Sequence, residues 1–418
     1  MKTLVFVTSQ FPYGKGESFI ASEFPFLAKS FDKIIIVAQN VASEKTRDTS
    51  LNTTVYRYNP ATSLSGFLFI PILLFSNMRT IFNMYKEEII FRKNLTTRNK
   101  RSLLKKIIKA IQLKLYLRKV LKEEGINESI VFYSYWLKTG AHAISMLKYK
   151  NSIKISRAHG SDLYEEKTES GYLSLLKFSA QNLETIFFAS QNGKRYFEEK
   201  IGTDSPNLFV SYLGVSNPGR EVASNVSTKN SNRYTIVSCS NMIPLKRIDL
   251  IIHALSIINT VKEIEWNHFG DGILKNKLEE LAERTLSKKV SYSFMGHYPN
   301  RELLKYYSTN HVDLFINASS TEGIPVSIME AQSYGIPVIA TDTGAVEELV
   351  ASGTGSLLPV DCTPSELASM IVYYANLNDK EIESIRENAI RNWNLNFNAI
   401  TNYEKFITKV NSILASVS

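Results

Sequence analysis

Two glutamates eight positions apart, Glu322 and Glu330, bracket the segment "EGIPVSIME", whose other residues are mostly apolar. Carboxylates at the edges of such a run are suited to reading hydroxyl groups, because an ionised carboxylate only accepts and so takes the O–H of a sugar or ribose directly. The chain between them offers a helix start. "VDLFINAS" reads as a strand ending at Ser319, a loop follows from Ser320 to Ile324, and Pro325 opens a helix that Gly335 closes. Proline suits the first helical position, where its missing N–H would be unbonded anyway. Ile324 has no side chain that accepts from the first-turn N–H groups, so the positive end of the helix dipole stays open to a phosphate. Spacing alone leaves open that Glu322 is a solvated loop acid and Glu330 an exposed helix acid.

A second strand, loop and helix, "YTIVSCSNMIPLKRIDLIIHAL", puts Lys246 and Arg247 just before a helix from Ile248. Two cations there complement a diphosphate, whose developing charge needs stabilising when it leaves. In "FGDGILKNKL", Gly270 and Gly272 stand at a strand end, where missing side chains let a backbone approach a ligand; a lone G-x-G is weak on its own. His159 follows the strand "KISRA" at its carboxyl end. In open α/β sheets, loops beyond the carboxyl ends of strands are where ligands bind.

The elements that must hold these loops alternate. "TLVFVTS", "KIIIVAQ", "SIVFYSYW", "SIKISRA", "TIFFAS" and "LFVSYL" are strand-like runs separated by helical patterns, which predicts a mostly parallel sheet in residues 1–214. Residues 215–233 have a linker's composition. A second alternating set, "YTIVSCS", "EIEWNHFG", "VSYSFMG", "VDLFINAS", "IPVIATD" and "GSLLPV", fills residues 234–385. Residues 386–418 read as helices with Trp393, Phe397, Tyr403 and Phe406 as docking side chains for either domain. With 418 residues, 44% of them hydrophobic, two cores are the expectation.

Charge narrows the partners. Fourteen Lys or Arg against two Glu between Arg79 and Lys122 give that stretch +12, more than the +9 of the whole chain. Just upstream, Leu64–Phe75 is apolar but well short of the roughly 20 residues needed to span a bilayer. In "LLKKIIKAIQLKLYL", Leu104, Ile107, Ile108, Ile111 and Leu115 share a helical stripe away from Lys105, Lys106 and Lys109. Two readings stay open: a peripheral contact of residues 64–122 with anionic lipid, and a core helix with a solvated basic face. No recognition-helix, zinc-finger or RNP pattern supports nucleic acid. Two cysteines without histidine neighbours make neither a disulfide framework nor a zinc site, and fit a reducing cytoplasm. The N-terminus reads as an opening strand and turn rather than a signal peptide.

"SSTEGIPVSIMEAQSYGIPVIATDTGAVEELV" resembles the E-x7-E region of the retaining glycosyltransferases with the GT-B fold, and "NMIPLKRIDLIIHAL" is similar to their phosphate-loop lysine segment. "SQFPYGKGESFI", "RAHGSDLY", "VSYLGV" and "NWNLNFNAITNYEKFI" are similar to stretches of bacterial polysaccharide-assembling members, so the resemblance covers most of the chain, least from about 45 to 125. It implies an α/β, GT-B architecture: two facing Rossmann-like domains, acceptor on the first and donor on the second, with a C-terminal helix crossing back to the first. Carried over, Glu330 holds the donor ribose, Glu322 the transferred sugar, Lys246 the diphosphate and His159 the sugar. Gly14 and Gly16 form the first domain's loop near the phosphates, and Asp162 orients the histidine loop. The helix start Gly323, Ile324, Pro325 and Val326, together with Asn241, Arg247 and Gly270, lines the donor. The donor is a nucleoside-diphosphate sugar, no other cofactor or metal is implied, and the acceptor is a saccharide or lipid-linked saccharide at the inner face of the membrane. The chain departs from the pattern at Asn241, where an arginine is usual, and at Arg247 and Ala345, where glycines are. A sugar-nucleotide epimerase and a non-catalytic membrane adaptor are the rival classes; the first needs an acid and base that are not identifiable, and the second has no use for Glu322, Glu330 and Lys246 together.

Overall fold

The apolar runs become parallel strands. In the first half these are β1 (Lys2–Thr8), β2 (Lys33–Ala38), β3 (Thr53–Arg57), β4 (Ser129–Ser134), β5 (Ser152–Ala158), β6 (Thr185–Phe188) and β7 (Asn207–Val210). They form one sheet in the order β3-β2-β1-β4-β5-β6-β7, with Val5 level with Ile35 on one side and Phe132 on the other. The computed structural model describes residues 2–14, 16–17, 19–41, 44–59, 75–126, 129–202, 207–217, 232–260 and 262–417. The apolar stretch 64–74 and linker residues 218–231 lie outside them.

β1 and β2 are apolar along nearly their whole length because both faces of the sheet are covered. One face packs Val5, Val7, Ile35 and Phe132 against Leu113, Leu117 and Leu121 of the helix Thr97–Glu123. The other packs Leu4, Phe6, Ile34 and Ile36 against Ile20, Phe24 and Leu27, and against Phe406, Val410 and Leu414 of the helix Ala399–Ala415. The buried face of Thr97–Glu123 runs through Leu103, Ile107, Ala110, Ile111, Leu113, Leu117 and Leu121, so it takes in only Ile107 and Ile111 of the expected stripe. Ile107 and Ile111 are fully buried, and of the stripe only Leu104 and Leu115 are exposed. β3 escapes a reading of apolar runs because it is a half-exposed edge strand, "TTVYR".

The second sheet repeats the plan with β8 (Arg233–Cys239), β9 (Glu263–Phe269), β10 (Val290–Phe294), β11 (Leu314–Asn317), β12 (Val338–Thr341) and β13 (Gly355–Leu358), in the order β10-β9-β8-β11-β12-β13. Both sheets are wholly parallel and both reverse direction beside their first strand, as in doubly wound nucleotide-binding folds. By contacts the chain divides into unit one, Met1–Tyr212 with Tyr403–Ser418, and unit two, Leu213–Asn402. The docking aromatics are shared out. Trp393, whose Nε1 donates to the Val215 carbonyl at 3.2 Å, and Phe397 are buried in unit two, while Tyr403 and Phe406 belong to unit one. Among the described residues, no helix is long and apolar enough to cross a membrane.

Unit one hides an ion pair in its core. Arg157 and Glu23, both with side chains 0% exposed, meet at 3.2 Å. Tyr133 donates to Glu23 at 2.8 Å and accepts from Arg157 Nε at 3.0 Å, and the guanidinium donates to the Ser211 carbonyl at 2.7 Å. Removing one partner strands a charge away from water. Arg157→Met is expected to lower the unfolding free energy by about 3–5 kcal/mol, and the double variant Arg157→Met/Glu23→Leu to recover much of that loss. Urea denaturation of the three proteins checks this, and an Arg157→Met curve superimposing on the wild type refutes it.

Candidate active site

The reversal in the second sheet lies between β8 and β11, and the loops leaving those two strands carry Lys246 and Glu322. After β8 the chain turns through a short 3-10 segment, Pro244–Lys246, and enters the helix Ile248–Ser256 through Arg247, whose φ is 47°. After β11, Asn317 and Ser319 precede the glutamate. Lys246 Nζ lies 2.5 Å from Glu322 Oε1, and the same oxygen accepts from Ser319 Oγ at 2.7 Å and Asn317 Nδ2 at 3.4 Å. The Ser320 N–H donates to the Leu245 carbonyl at 2.8 Å, which ties the two loops along their backbones. Glu322 is thus no free loop acid. Ser319 and Asn317 were missed from sequence because a serine and an asparagine at a strand end carry no distinctive spacing.

The helix after this loop is Val326–Ser333, with Pro325 as its N-cap rather than its first helical residue. A proline has no side-chain acceptor, so the one-residue shift leaves the first turn without a side-chain cap. Glu330 lies one turn in and is 6% exposed, which rules out an exposed helix acid. Its Oε1 accepts from Asn300 Nδ2 at 2.5 Å. Burial pushes this carboxyl up to about 7 against the opposing pull of the Asn300 hydrogen bond. Burial also raises the Cys239 thiol at the end of β8, and both Glu330 and Lys246 are within electrostatic reach of it.

In unit one, His159 ends β5 and packs in an aromatic box with Tyr135 at 4.9 Å and Trp136 at 4.8 Å between ring centroids. Its Nε2 has no hydrogen-bond partner among the described residues. Burial, with Arg157 and Lys138 adding, lowers the imidazole to about 3, so the ring is neutral at physiological pH. Asp162 does orient the loop: its carboxylate accepts from the His159 N–H at 2.5 Å and the Leu137 N–H at 2.7 Å. The turn holding Gly14 and Gly16 is followed by a carboxylate that binds back to the end of β1. Glu17, 8% exposed, accepts from the N–H groups of Ser9 at 3.0 Å, Gln10 at 2.6 Å and Phe11 at 2.6 Å, and from Trp136 Nε1. The amides beyond β1 are therefore already bound to the protein's own carboxylate, and Gly14, at φ 60°, donates its N–H to the Glu44 carbonyl.

Residues 219–392 match the family described as "Glycosyl transferases group 1". They are a glycosyl transferases group 1 domain. Among curated relatives, an O-antigen biosynthesis glycosyltransferase of Escherichia coli, WbnH, is 26% identical over 66% of this chain and 74% of its own length. An uncharacterized glycosyltransferase of Methanocaldococcus jannaschii is 24% identical over 65% of this chain and 71% of its own. The fold is that of GT-B glycosyltransferases. A sucrose-phosphate synthase from Thermosynechococcus elongatus superposes with TM-score 0.69 at 13% identity, over 100% of both chains. Anabaena HepE, solved in complex with UDP and glucose, gives 0.63 at 14% identity, over 98% of this chain and 99% of its own.

Within the group 1 domain the departures from the family pattern have local explanations. Ala345 adopts φ −109°, an ordinary value for any residue, and its N–H donates to the Gly323 carbonyl at 2.9 Å. The neighbour is the constrained one: Gly344 has φ 64°, and a Cβ there would lie 2.2 Å from the Glu322 carbonyl oxygen. Arg247 does not reach toward a phosphate site. Its guanidinium donates to the carbonyls of Val360 and of Cys362, the latter at 3.2 Å, pinning the turn after β13. Asn241 sits exposed in the loop after β8. Gly270 and Gly272 admit a neighbouring loop: a Cβ would come within 1.8 Å of the Ser240 carbonyl oxygen at Gly270 and 2.5 Å of that of Met242 at Gly272. Gly344→Ala is expected to displace the Glu322 loop and cut sugar transfer up to about 100-fold, since misplacing a reacting group by an ångström costs that much. Ala345→Gly should stay within about 1 kcal/mol of wild-type stability. Activity and melting curves of both decide it, and an active Gly344→Ala variant refutes the positioning role.

Proposed function

We propose that this glycosyltransferase is a retaining, metal-independent enzyme that moves a sugar from a nucleoside-diphosphate sugar to a saccharide or lipid-linked saccharide in cell-surface polysaccharide assembly. The observation that carries the reading is the Lys246–Glu322 pair at the strand-order reversal, with the buried Glu330 one helical turn beyond an uncapped helix start. Lys246 and the amides around Gly323, Ile324 and Val326 take the diphosphate, Glu330 the ribose hydroxyls, and Glu322 the hydroxyls of the transferred sugar. His159 supplies a neutral acceptor for another sugar hydroxyl. As the bond from the anomeric carbon to the diphosphate breaks, the acceptor oxygen attacks from the same face and its proton passes to the departing diphosphate. The chain contains no D-x-D triplet, and the charge of the leaving group is met by Lys246 and helix amides. That HepE holds UDP and glucose makes UDP-sugars the first donors to try.

Lys246→Ala is expected to reduce transfer at least about tenfold, since a charge-assisted hydrogen bond contributes roughly 1.5–3 kcal/mol and each 1.36 kcal/mol is about tenfold in rate. Glu322→Gln should hurt transfer more than nucleotide binding, and Glu330→Ala should weaken nucleoside-diphosphate binding as well. Arg247→Ala should lower thermal stability rather than affinity, given its carbonyl partners. The same assay in EDTA should proceed unchanged. If Lys246→Ala leaves both affinity and rate intact, the loop after β8 is not the phosphate site.

The raised Glu330 gives a pH signature. Ribose hydroxyls donate best to the carboxylate, so the affinity for a nucleoside-diphosphate sugar should rise several-fold as pH increases through about 7. The sign follows from the group's own titration: below that value it holds a proton and loses acceptor capacity. Glu330→Gln should flatten the profile. Calorimetry between pH 6 and 8 provides the check, and a flat wild-type profile counts against the ribose role.

For the membrane contact, the helix Met78–Arg92 supports the reading better than its neighbour. Arg79, Phe82, Lys86 and Ile90 on this helix, with Phe75 before it and Lys93 at its end, recur every three or four residues and all face solvent, with Phe75 78%, Phe82 61% and Ile90 62% exposed. Apolar side chains interleaved with cations suit an anionic lipid surface, where each cation contributes about 1 kcal/mol. Binding to vesicles containing phosphatidylglycerol should weaken with salt and fall sharply in Phe82→Ser/Lys86→Glu. Equal flotation of wild type and variant, or of neutral and anionic vesicles, contradicts it.

A further inference from the structure

The loop after β10 is not part of the E-x7-E segment, yet it delivers Asn300 to the buried Glu330. Pro299 ends that loop and Asn300 begins the helix Asn300–Thr309, so its side chain is fixed at a helix start while Glu330 is fixed inside another helix. The 2.5 Å contact uses one carboxylate oxygen, Oε1, and no described donor is recorded on the other. Asn300 itself is exposed, so it contributes little to the core. Two further titratable groups couple electrostatically to Glu330, the Cys239 thiol from the end of β8 and the Tyr307 phenol from the same helix as Asn300. Burial holds both of these in their neutral forms, and the Tyr307 hydroxyl is buried with no partner among the described residues. Asn300 is thus the one described group that hydrogen-bonds Glu330's carboxylate.

Resting on the assignment of Glu330 to the donor ribose, we propose that Asn300 is a positioning residue for donor binding: it fixes one oxygen of the Glu330 carboxylate, turns the other toward the ribose, and favours the ionised form that the hydroxyls need. Such a hydrogen bond favours the charged state of the acceptor, and losing it moves the titration upward. The interaction is made alike in the ground state and the transition state, so its loss belongs in the KM for donor rather than in kcat.

The test uses the full chain and whichever of UDP-, GDP- or ADP-glucose raises its melting temperature most. Affinity for that compound is measured from pH 6 to 9 in the wild type, Asn300→Ala and Asn300→Asp, with Glu330→Gln as reference, and steady-state rates are taken at pH 7. Asn300→Ala should move the pH midpoint of binding upward, weaken affinity at pH 7 several-fold, close most of that gap by pH 9, and raise KM without lowering kcat. Asn300→Asp, which sets a second carboxylate beside the first, should move the midpoint further. A midpoint unchanged in both variants while Glu330→Gln flattens the wild-type profile overturns the role of Asn300 and leaves the ribose assignment standing. A wild-type profile that is flat, or no stabilisation by any of the three compounds, overturns the ribose assignment and the role of Asn300 with it.

Discussion

The ion pair of Lys246 with Glu322 depends on residues that lie 76 positions apart in the chain and meet because the strand order reverses between β8 and β11. A crevice opens where two neighbouring loops leave a parallel sheet in opposite directions, and only there can the loops of β8 and β11 close on one ligand. The pair is partly buried, with side chains 21% and 11% exposed, so it is screened less than a surface contact. It also serves each partner. The lysine gains a counter-charge that holds it near the helix start, and the glutamate gains a cation beside an otherwise apolar segment.

Around this pair the backbone is built to very close tolerances. Gly344 presses on the Glu322 carbonyl, Gly270 on that of Ser240, and the Leu245 carbonyl accepts from Ser320, so four loops from four strands, β8, β9, β11 and β12, hold one another through their main chains. Side chains then complete the site at little conformational cost. In unit one the same logic appears with a charge in place of glycines, where Glu17 gathers three consecutive amides and an indole N–H into one anchor beside the box that holds His159.

Much of this was legible in the sequence. Strands buried on both faces, such as β1, β2 and β12, write themselves as unbroken apolar runs, and the alternation with helices fixes a parallel sheet. β3 was hidden because an edge strand with half-exposed threonines and a tyrosine has no such run. Glu322, Glu330 and Lys246 stood out by residue type and position and took their expected roles from resemblance to a family; the meeting of Lys246 with Glu322 was not visible in spacing, nor was the tie of Glu330 to Asn300, thirty positions before it. The glycines misled for a physical reason: a sequence shows that a backbone comes close at Gly270 and Gly272 but not what it comes close to, and here it is another loop. Arg247 misled because a cation beside a lysine has many carbonyls within reach, and it took those of Val360 and Cys362.

The helix Ala399–Ala415 has a consequence for how the protein comes into being. Unit one is not continuous in the chain, since Phe406, Ile407, Val410 and Leu414 supply part of the surface that covers Leu4, Phe6 and Ile36. During synthesis the first sheet emerges early, but that face of it stays uncovered until all of unit two has been made, at translation rates of about 5–20 residues per second. The nascent protein therefore carries an exposed apolar face for many seconds, which makes the first half a natural client for chaperones and ties its completion to a helix synthesised only after unit two.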